Sequence, residues 1–233
     1  MGSSRLPGKS MMPLFGEPLV GRILERLKKC KQPDLIVLAI PNTKENLPLK
    51  HLGDLYNVKV FLGDENDVLS RYFYAAKLYS ADLIVRFPAD NPVPEPLEVD
   101  KIINHHIKLQ RKGFSSNLAE IFNSGYPDGI GAEVFDFSLL EDAFKKPFSS
   151  NLREHVHLNF FDYSTQKIVD IDNCPVSTIK CPVEFNRPDL ILDVNTIEQY
   201  NYMKSLYDYL YSINPNFHIT DIIKWHDHIY LGN

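Results

Sequence analysis

Three short runs, Asp34–Pro41 (DLIVLAIP), Asn57–Leu62 (NVKVFL) and Asp82–Phe87 (DLIVRF), restrict the possible folds of this chain more than any other feature. Each has the length of a strand and is largely apolar, and Asp34–Pro41 and Asp82–Phe87 have the pattern of a buried strand. Segments of helical period separate and follow them. Leu19–Cys30 precedes the first run, and Lys44–Tyr56 is helical in part. Asp67–Ser80 sets Val68, Leu69, Tyr72, Phe73 and Ala76 on one face with Asp67 placed as its cap, and Leu97–Lys112 is a further helix. This alternation predicts an α/β fold with a doubly wound, mostly parallel sheet, whose ligands sit beyond the carboxyl ends of the strands.

The second half is less regular. Phe114–Ala119 and Ile130–Phe137 read as strands around the turn-rich Gly125–Gly129, and Ser138–Lys146 and Asn151–Phe161 read as helices. Lys167–Asp172 and Ser177–Pro182 predict a small antiparallel β arm. Leu190–Val194 (LILDV) returns to the buried-strand pattern. A helix over Thr196–Ser212 then places Ile197, Tyr200, Met203, Leu206, Tyr207 and Leu210 on a core-facing stripe. His218–Tyr230 reads as a capping helix anchored by Trp225. With no internal repeat and no linker, a single domain over 1–233 is expected, with an excursion at about 126–186.

Composition removes several function classes. A net charge of −5 gives no general attraction to nucleic acid. Cys30, Cys174 and Cys181 lack CxxC spacing and read as reduced thiols, and the histidine pairs His105/His106, His155/His157 and His226/His228 lack a complete zinc ligand set. No apolar run approaches the ~20 residues of a membrane span. The expectation is a soluble, cytoplasmic protein.

Candidate chemistry begins in the opening loop. Gly2 and Gly8 let backbone N–H groups approach an anion, Ser3 and Ser4 add hydroxyl donors, and Arg5 and Lys9 add two charges, a combination suited to a triphosphate. A solvated, flexible terminus is the alternative for such a stretch taken alone. Asp90 follows the strand DLIVRF in a loop stiffened by Pro88 and Pro92, and Asp193 ends LILDV. On one rim of a sheet the two would share a divalent ion with nucleotide phosphates, and magnesium suits that donor set. Taken singly, Asp90 also reads as a turn residue and Asp193 as a helix cap. Arg86, Asp67 and Asn91 are nucleotide-side candidates from position alone, the helix-cap reading being the stronger for Asp67.

Set side by side, MGSSRLPGK, GDENDVLSRYFYAAK, ADLIVRFPADNPVPEP, NLAEIFNSGYPDGIGAEVF, NLREHV and LILDVNTIEQY occur in the order of the cytidylyltransferases that make CMP-activated acidic sugars. From Met1 to about Tyr209 the chain resembles this family, which includes the CMP-sialic acid and CMP-3-deoxy-manno-octulosonate synthetases, and most nearly its spore-coat polysaccharide type. The resemblance implies a glycosyltransferase-A-like nucleotidyltransferase fold and a homodimer. It also implies CTP as donor, magnesium as cofactor, and CMP transfer to an acidic sugar hydroxyl with release of pyrophosphate. It assigns Arg5 and Lys9 to phosphate, Asp90 and Asp193 to the metal, and Glu133, Arg153 and His155 to the acceptor side or the dimer arm. Arg153 is the candidate counter-ion for the acid, with an ordinary ion pair as the equal alternative. A nucleotide-sugar pyrophosphorylase and a non-catalytic nucleotide-binding relative are the competing functions.

The chain departs from the family pattern in two places. Gly131-Ala132 precedes Glu133 where relatives often carry an acidic residue. Relatives also open with a buried strand and a Gln-Ala-Arg-like segment just before the stretch matching Met1. Without that strand its neighbours are expected to keep unpaired backbone groups, at ~1 to 3 kcal/mol for each one buried. A start assigned too late, a trimmed chain and a shortened protein are the competing explanations, the first being the expectation.

Overall fold

The first elements pack the opening loop onto the body of the protein. The structure, a computed structural model, describes residues 5–110 and 112–232. Gly8, at φ +75°, turns the chain into a 3₁₀ turn at Lys9–Met11. A two-stranded hairpin, β1 (Pro13–Leu14) and β2 (Glu17–Pro18), then closes through Phe15 and Gly16, both at positive φ, as a tight two-residue loop requires. Helix α1 (Leu19–Leu27) buries Leu19, Val20, Ile23 and Leu24 on one face. Its two arginines are buried as well: Arg22 donates to the carbonyls of Leu14 and Phe15, and Arg26 to those of Pro94 and Phe217.

The predicted alternation follows. Strand β3 (Val37–Pro41), helix α2 (Leu47–Leu55), strand β4 (Lys59–Gly63), helix α3 (Val68–Leu78), strand β5 (Leu83–Arg86) and helix α4 (Pro96–Lys108) succeed one another. Asp67 caps α3, accepting from the Ser70 N–H at 2.8 Å. Next come β6 (Phe114–Ser116), β7 (Glu133–Asp136), α5 (Phe137–Lys145) and α6 (Ser150–Glu154). Three two-residue strands follow: β8 (Phe161–Asp162), β9 (Lys167–Ile168) and β10 (Val176–Ser177). Helices α7 (Ile197–Ile213) and α8 (Ile219–Trp225) complete the chain, α8 running on into a π-helical turn at His226–Tyr230.

The α/β class stands, with mixed sheets. Strands β3 and β4 pair in parallel, and β10-β6-β7-β5 form a second sheet in which β7 is antiparallel to both β6 and β5. Among the described residues, β3 pairs only with β4 and β5 only with β7. The free edges of β3 and β5 line the same cleft, of about 420 Å³, with Val20, Ile23 and Leu24 of α1 and Val68 and Tyr72 of α3 also on its walls. Residues Val37, Leu38, Ala39 and Val85 are consequently only half-buried, although their runs read as fully covered.

The arm differs from expectation. Residues 167–172 and 177–182 do not pair with each other: β9 pairs back onto β8, and β10 joins β6 in parallel. Leu190–Val194 makes one parallel bridge, Asp128 to Ile191, in place of a strand. In the α7 stripe, Tyr200, Met203, Leu206, Tyr207 and Leu210 are buried, whereas Ile197 in the first turn is exposed. Trp225 is buried in the main core beside α7, as expected.

The edge geometry predicts uneven protection. In hydrogen exchange, amides of β3 and β5 that point into the cleft should exchange roughly tenfold or more faster than those bonded to β4 and β7; equal protection on both edges would contradict the free-edge arrangement.

Candidate active site

Lys9 is the meeting point of three distant segments. Its Nζ donates to Asp90 Oδ2 at 3.0 Å, to the Val194 carbonyl at 2.7 Å and to Asn195 Oδ1 at 3.0 Å. An ammonium has three protons, so all of them are engaged. Arg5, an exposed residue, lies alongside, its Nη2 donating to the same Asn195 Oδ1 at 2.9 Å. Gly2, Ser3 and Ser4 lie outside the described residues.

The segments carrying the two aspartates are held independently of Lys9. The Pro88–Glu95 loop is pinned by Arg26 Nε on the Pro94 carbonyl (2.8 Å), by the Tyr207 hydroxyl on the Pro92 carbonyl (2.7 Å), and by the Val194 N–H on the Asp90 carbonyl (2.8 Å). Asp193 is oriented from α7. Gln199 closes the capping box of that helix with Thr196, and its Nε2 also donates to Asp193 Oδ1 at 2.9 Å. Asn195 Nδ2 donates to the other carboxylate oxygen. Burial, and then the nearby charge of Asp90, raise the pKa of Asp193.

A third carboxylate shares this rim. Asp128 sits in YPDGIG, which reads in sequence only as a turn. Its N–H donates to the Leu190 carbonyl, and its own carbonyl accepts from the Leu192 N–H. Gly129, at φ +91°, allows this approach, since a Cβ there would stand 3.0 Å from the Leu192 carbonyl carbon. Burial, then Glu120, Asp193 and Asp90, push the Asp128 carboxyl up to about 7.

The other expected residues divide into two groups. Arg86 lines the cleft, but its Nη1 is bound to Glu133 Oε2 at 2.7 Å, the two being direct cross-strand partners in the β5–β7 ladder. Glu133 is fully buried, and its second oxygen accepts from the Tyr163 hydroxyl at 3.0 Å. Asn91 is buried in the turn after Pro88. Arg153 is spent elsewhere: it pairs with Asp67 Oδ2 at 3.1 Å, donates to the Phe144 carbonyl and stacks over Phe144. The structure thus shows the ion pair that was the alternative for Arg153, with its charge beside the α3 cap. His155 ends α6 beside His157, their rings 6.1 Å apart.

Among the described residues, no three His, Cys, Asp or Glu side chains form a set able to hold a metal ion. Asp90 and Asp193 would supply only two carboxylates to a metal, so the rest of its coordination sphere would come from substrate oxygens and water. No helix among the described residues is long and apolar enough to cross a membrane.

Residues 1–206 match the cytidylyltransferase family. The chain belongs to that family. It is 32% identical to an uncharacterized protein of Methanocaldococcus jannaschii over 97% of this chain and 86% of that one. It is 28% identical to a spore coat polysaccharide biosynthesis protein of Bacillus subtilis, over 89% of this chain and 82% of the relative. A solved cytidylyltransferase from Leptospira borgpetersenii superposes with a TM-score of 0.84 at 29% identity, covering 97% of this chain and 90% of that one. Lys9, Asp90 and Asp193 thus meet on the strand-end rim of a cytidylyltransferase fold.

The high Asp128 pKa makes a signed prediction. Between pH about 4 and about 7 the unfolded chain gives up this proton while the folded protein keeps it, so stability falls across that window and then levels off. Asp128→Asn should be more stable than the parent by on the order of 3 kcal/mol at pH 8, with the difference gone near pH 4. Urea unfolding at the two pH values checks this; a pH-independent difference would contradict it.

Proposed function

We propose that this cytidylyltransferase moves CMP from CTP to a hydroxyl of an acidic sugar, a 2-keto-3-deoxy acid of the nonulosonate or octulosonate kind, in surface polysaccharide synthesis. The observation that carries the reading is the convergence of Lys9, Arg5, Asp90 and Asp193 on one rim. The acceptor class rests on the sequence motifs shared with the CMP-sugar-acid synthetases, and the polysaccharide context on the likeness to the spore coat polysaccharide biosynthesis protein of Bacillus subtilis.

The oxygen of the acceptor hydroxyl attacks the α-phosphorus in line and its proton passes to solvent, while the bond from that phosphorus to the β-bridging oxygen breaks and pyrophosphate leaves. The protein's work in such a step is positioning and charge neutralisation. The exposed Arg5 and the Lys9 ammonium face the charge that grows on the leaving pyrophosphate, Lys9 exchanging one of its present partners for a phosphate oxygen. Gln199 and Asn195 hold Asp193 in place as the triphosphate arrives. Asp90 and Asp193 fit a divalent cation: they lie close enough for Asp90 to raise the Asp193 pKa, and they leave substrate oxygens to complete the sphere. Magnesium bound there would supply positive charge at the α-phosphate.

A homodimer through the 126–186 excursion agrees with the exposure of Phe148, Ile171 and Val183 on that part of the chain. A cytoplasmic setting agrees with Cys30, Cys174 and Cys181 all being free thiols.

Pyrophosphate release tests the reading. Turnover should require CTP with a 2-keto-3-deoxy sugar acid and magnesium, and should stop in EDTA. Asp90→Asn and Asp193→Asn should each lower kcat on the order of 100-fold while the fold persists by circular dichroism. Turnover with UTP or dTTP and a sugar 1-phosphate would replace this function with that of a pyrophosphorylase. CTP binding without turnover would indicate a non-catalytic relative.

A further inference from the structure

Lys9, Arg71 and Arg86 are the cations among the described residues that line the cleft between β3 and β5. Two already face a carboxylate: Lys9 lies 3.0 Å from Asp90 and Arg86 2.7 Å from Glu133. Arg71, in the first turns of α3, forms no ion pair among the described residues. Its hydrogen bonds among the described residues run from Nη1 alone, to the carbonyls of Asp64 at 2.6 Å and Glu65 at 3.0 Å. Its Nε is buried with no acceptor, the single such side-chain atom among the described residues.

The acidic residues near Arg71 do not fill this vacancy. The Asp64 carboxylate accepts the N–H groups of Asn66 and Asp67, and the Asp67 carboxylate accepts from Ser70 and Arg153. Glu65 is exposed on the turn. Burial lowers the Arg71 pKa, offset in part by Tyr72, Asp64, Asp67 and Glu65, and the group stays charged. Gly63 gives its stem passage, since a Cβ there would stand 2.8 Å from Arg71 Cγ. The guanidinium is thus fixed through one nitrogen, leaving the Nε/Nη2 edge, the side that grips an oxyanion in a two-pronged bond, without a partner.

We propose that Arg71 is an oxyanion seat of the cleft, pairing through its Nε/Nη2 edge with a phosphate of the nucleotide or the carboxylate of the acceptor. The seat itself rests on the cleft geometry, and only the origin of the anion rests on the CMP-transfer reading. Arg153, held by Asp67, then acts on the site indirectly, fixing the turn that positions Arg71.

Calorimetric titration of the full chain with inorganic pyrophosphate, and separately with 3-deoxy-manno-octulosonate, distinguishes the two sources. Arg71→Gln should weaken one of these anions about 10-fold or more, and Arg71→Lys should recover part of the loss. A loss confined to pyrophosphate and CTP assigns the seat to phosphate, and a loss confined to the sugar acid assigns it to carboxylate. Unchanged affinity for both probes in a folded Arg71→Gln protein would overturn the proposal. Should that variant fail to fold, the Arg71 Nε–H resonance of the parent protein, identified by its loss in Arg71→Lys, must shift on adding one of the anions; no shift overturns the seat. Anion binding through Arg71 without CTP turnover would defeat the transfer reading alone. Normal turnover with no Arg71 dependence would defeat this inference alone.

Discussion

Carboxylates gathered on one rim repel one another, and burial sharpens the repulsion because less water screens it. Asp90 and Asp193 are kept close by backbone and side-chain bonds that do not involve either charge pairing with the other, the Val194 N–H on the Asp90 carbonyl and the Gln199 amide on Asp193. The Lys9 ammonium supplies the missing charge. It comes from 81 residues away in sequence on one side and 185 on the other. One cation therefore joins the opening loop, the loop after β5 and the segment before α7. On the proposed reading, the same electrostatics would favour a triphosphate and its ion at this rim, since added positive charge would relieve the carboxylates and phosphate oxygens could replace the present acceptors of Lys9.

The body of the protein keeps these pieces in place through buried polar anchors. Arg22 and Arg26 of α1 use guanidinium groups to fasten the hairpin and the Asp90 loop, and both lie over aromatic rings of the helical layer, Arg22 over Tyr211 and Arg26 over Phe217. Tyr200 and Tyr207 of α7 reach back to the carbonyls of Pro13 and Pro92. The rim is thereby braced from two helices. The cleft between β3 and β5 is the softer part, because two strand edges face it with no strand among the described residues between them.

How far the sequence could be read depended on whether a residue's role was set locally. Strands β3, β4 and β5 were legible because each is a short, largely apolar run, and Asp90 because it follows such a run directly. Asp67 was legible as a cap for the same local reason. The arm was not: strands of two residues take their partners from tertiary packing, so Lys167–Ile168 folded back on Phe161–Asp162 and Val176–Ser177 joined β6. Asp128 was hidden because YPDGIG has ordinary turn chemistry, and only the approach of Gly129 to Leu192 reveals the third carboxylate. Arg71 was hidden inside a helical pattern that tolerates arginine anywhere on its polar face. The pairings of Arg86 with Glu133 and of Arg153 with Asp67 each join residues far apart in the chain, and no spacing rule announces them.

Anomalous diffraction from crystals grown with CTP and manganese, used in place of magnesium, tests the central claim most directly. A single manganese peak within coordination distance of both Asp90 and Asp193, with triphosphate oxygens on it and on Lys9, is the predicted result. A triphosphate bound elsewhere, or a metal peak touching neither aspartate, would contradict it.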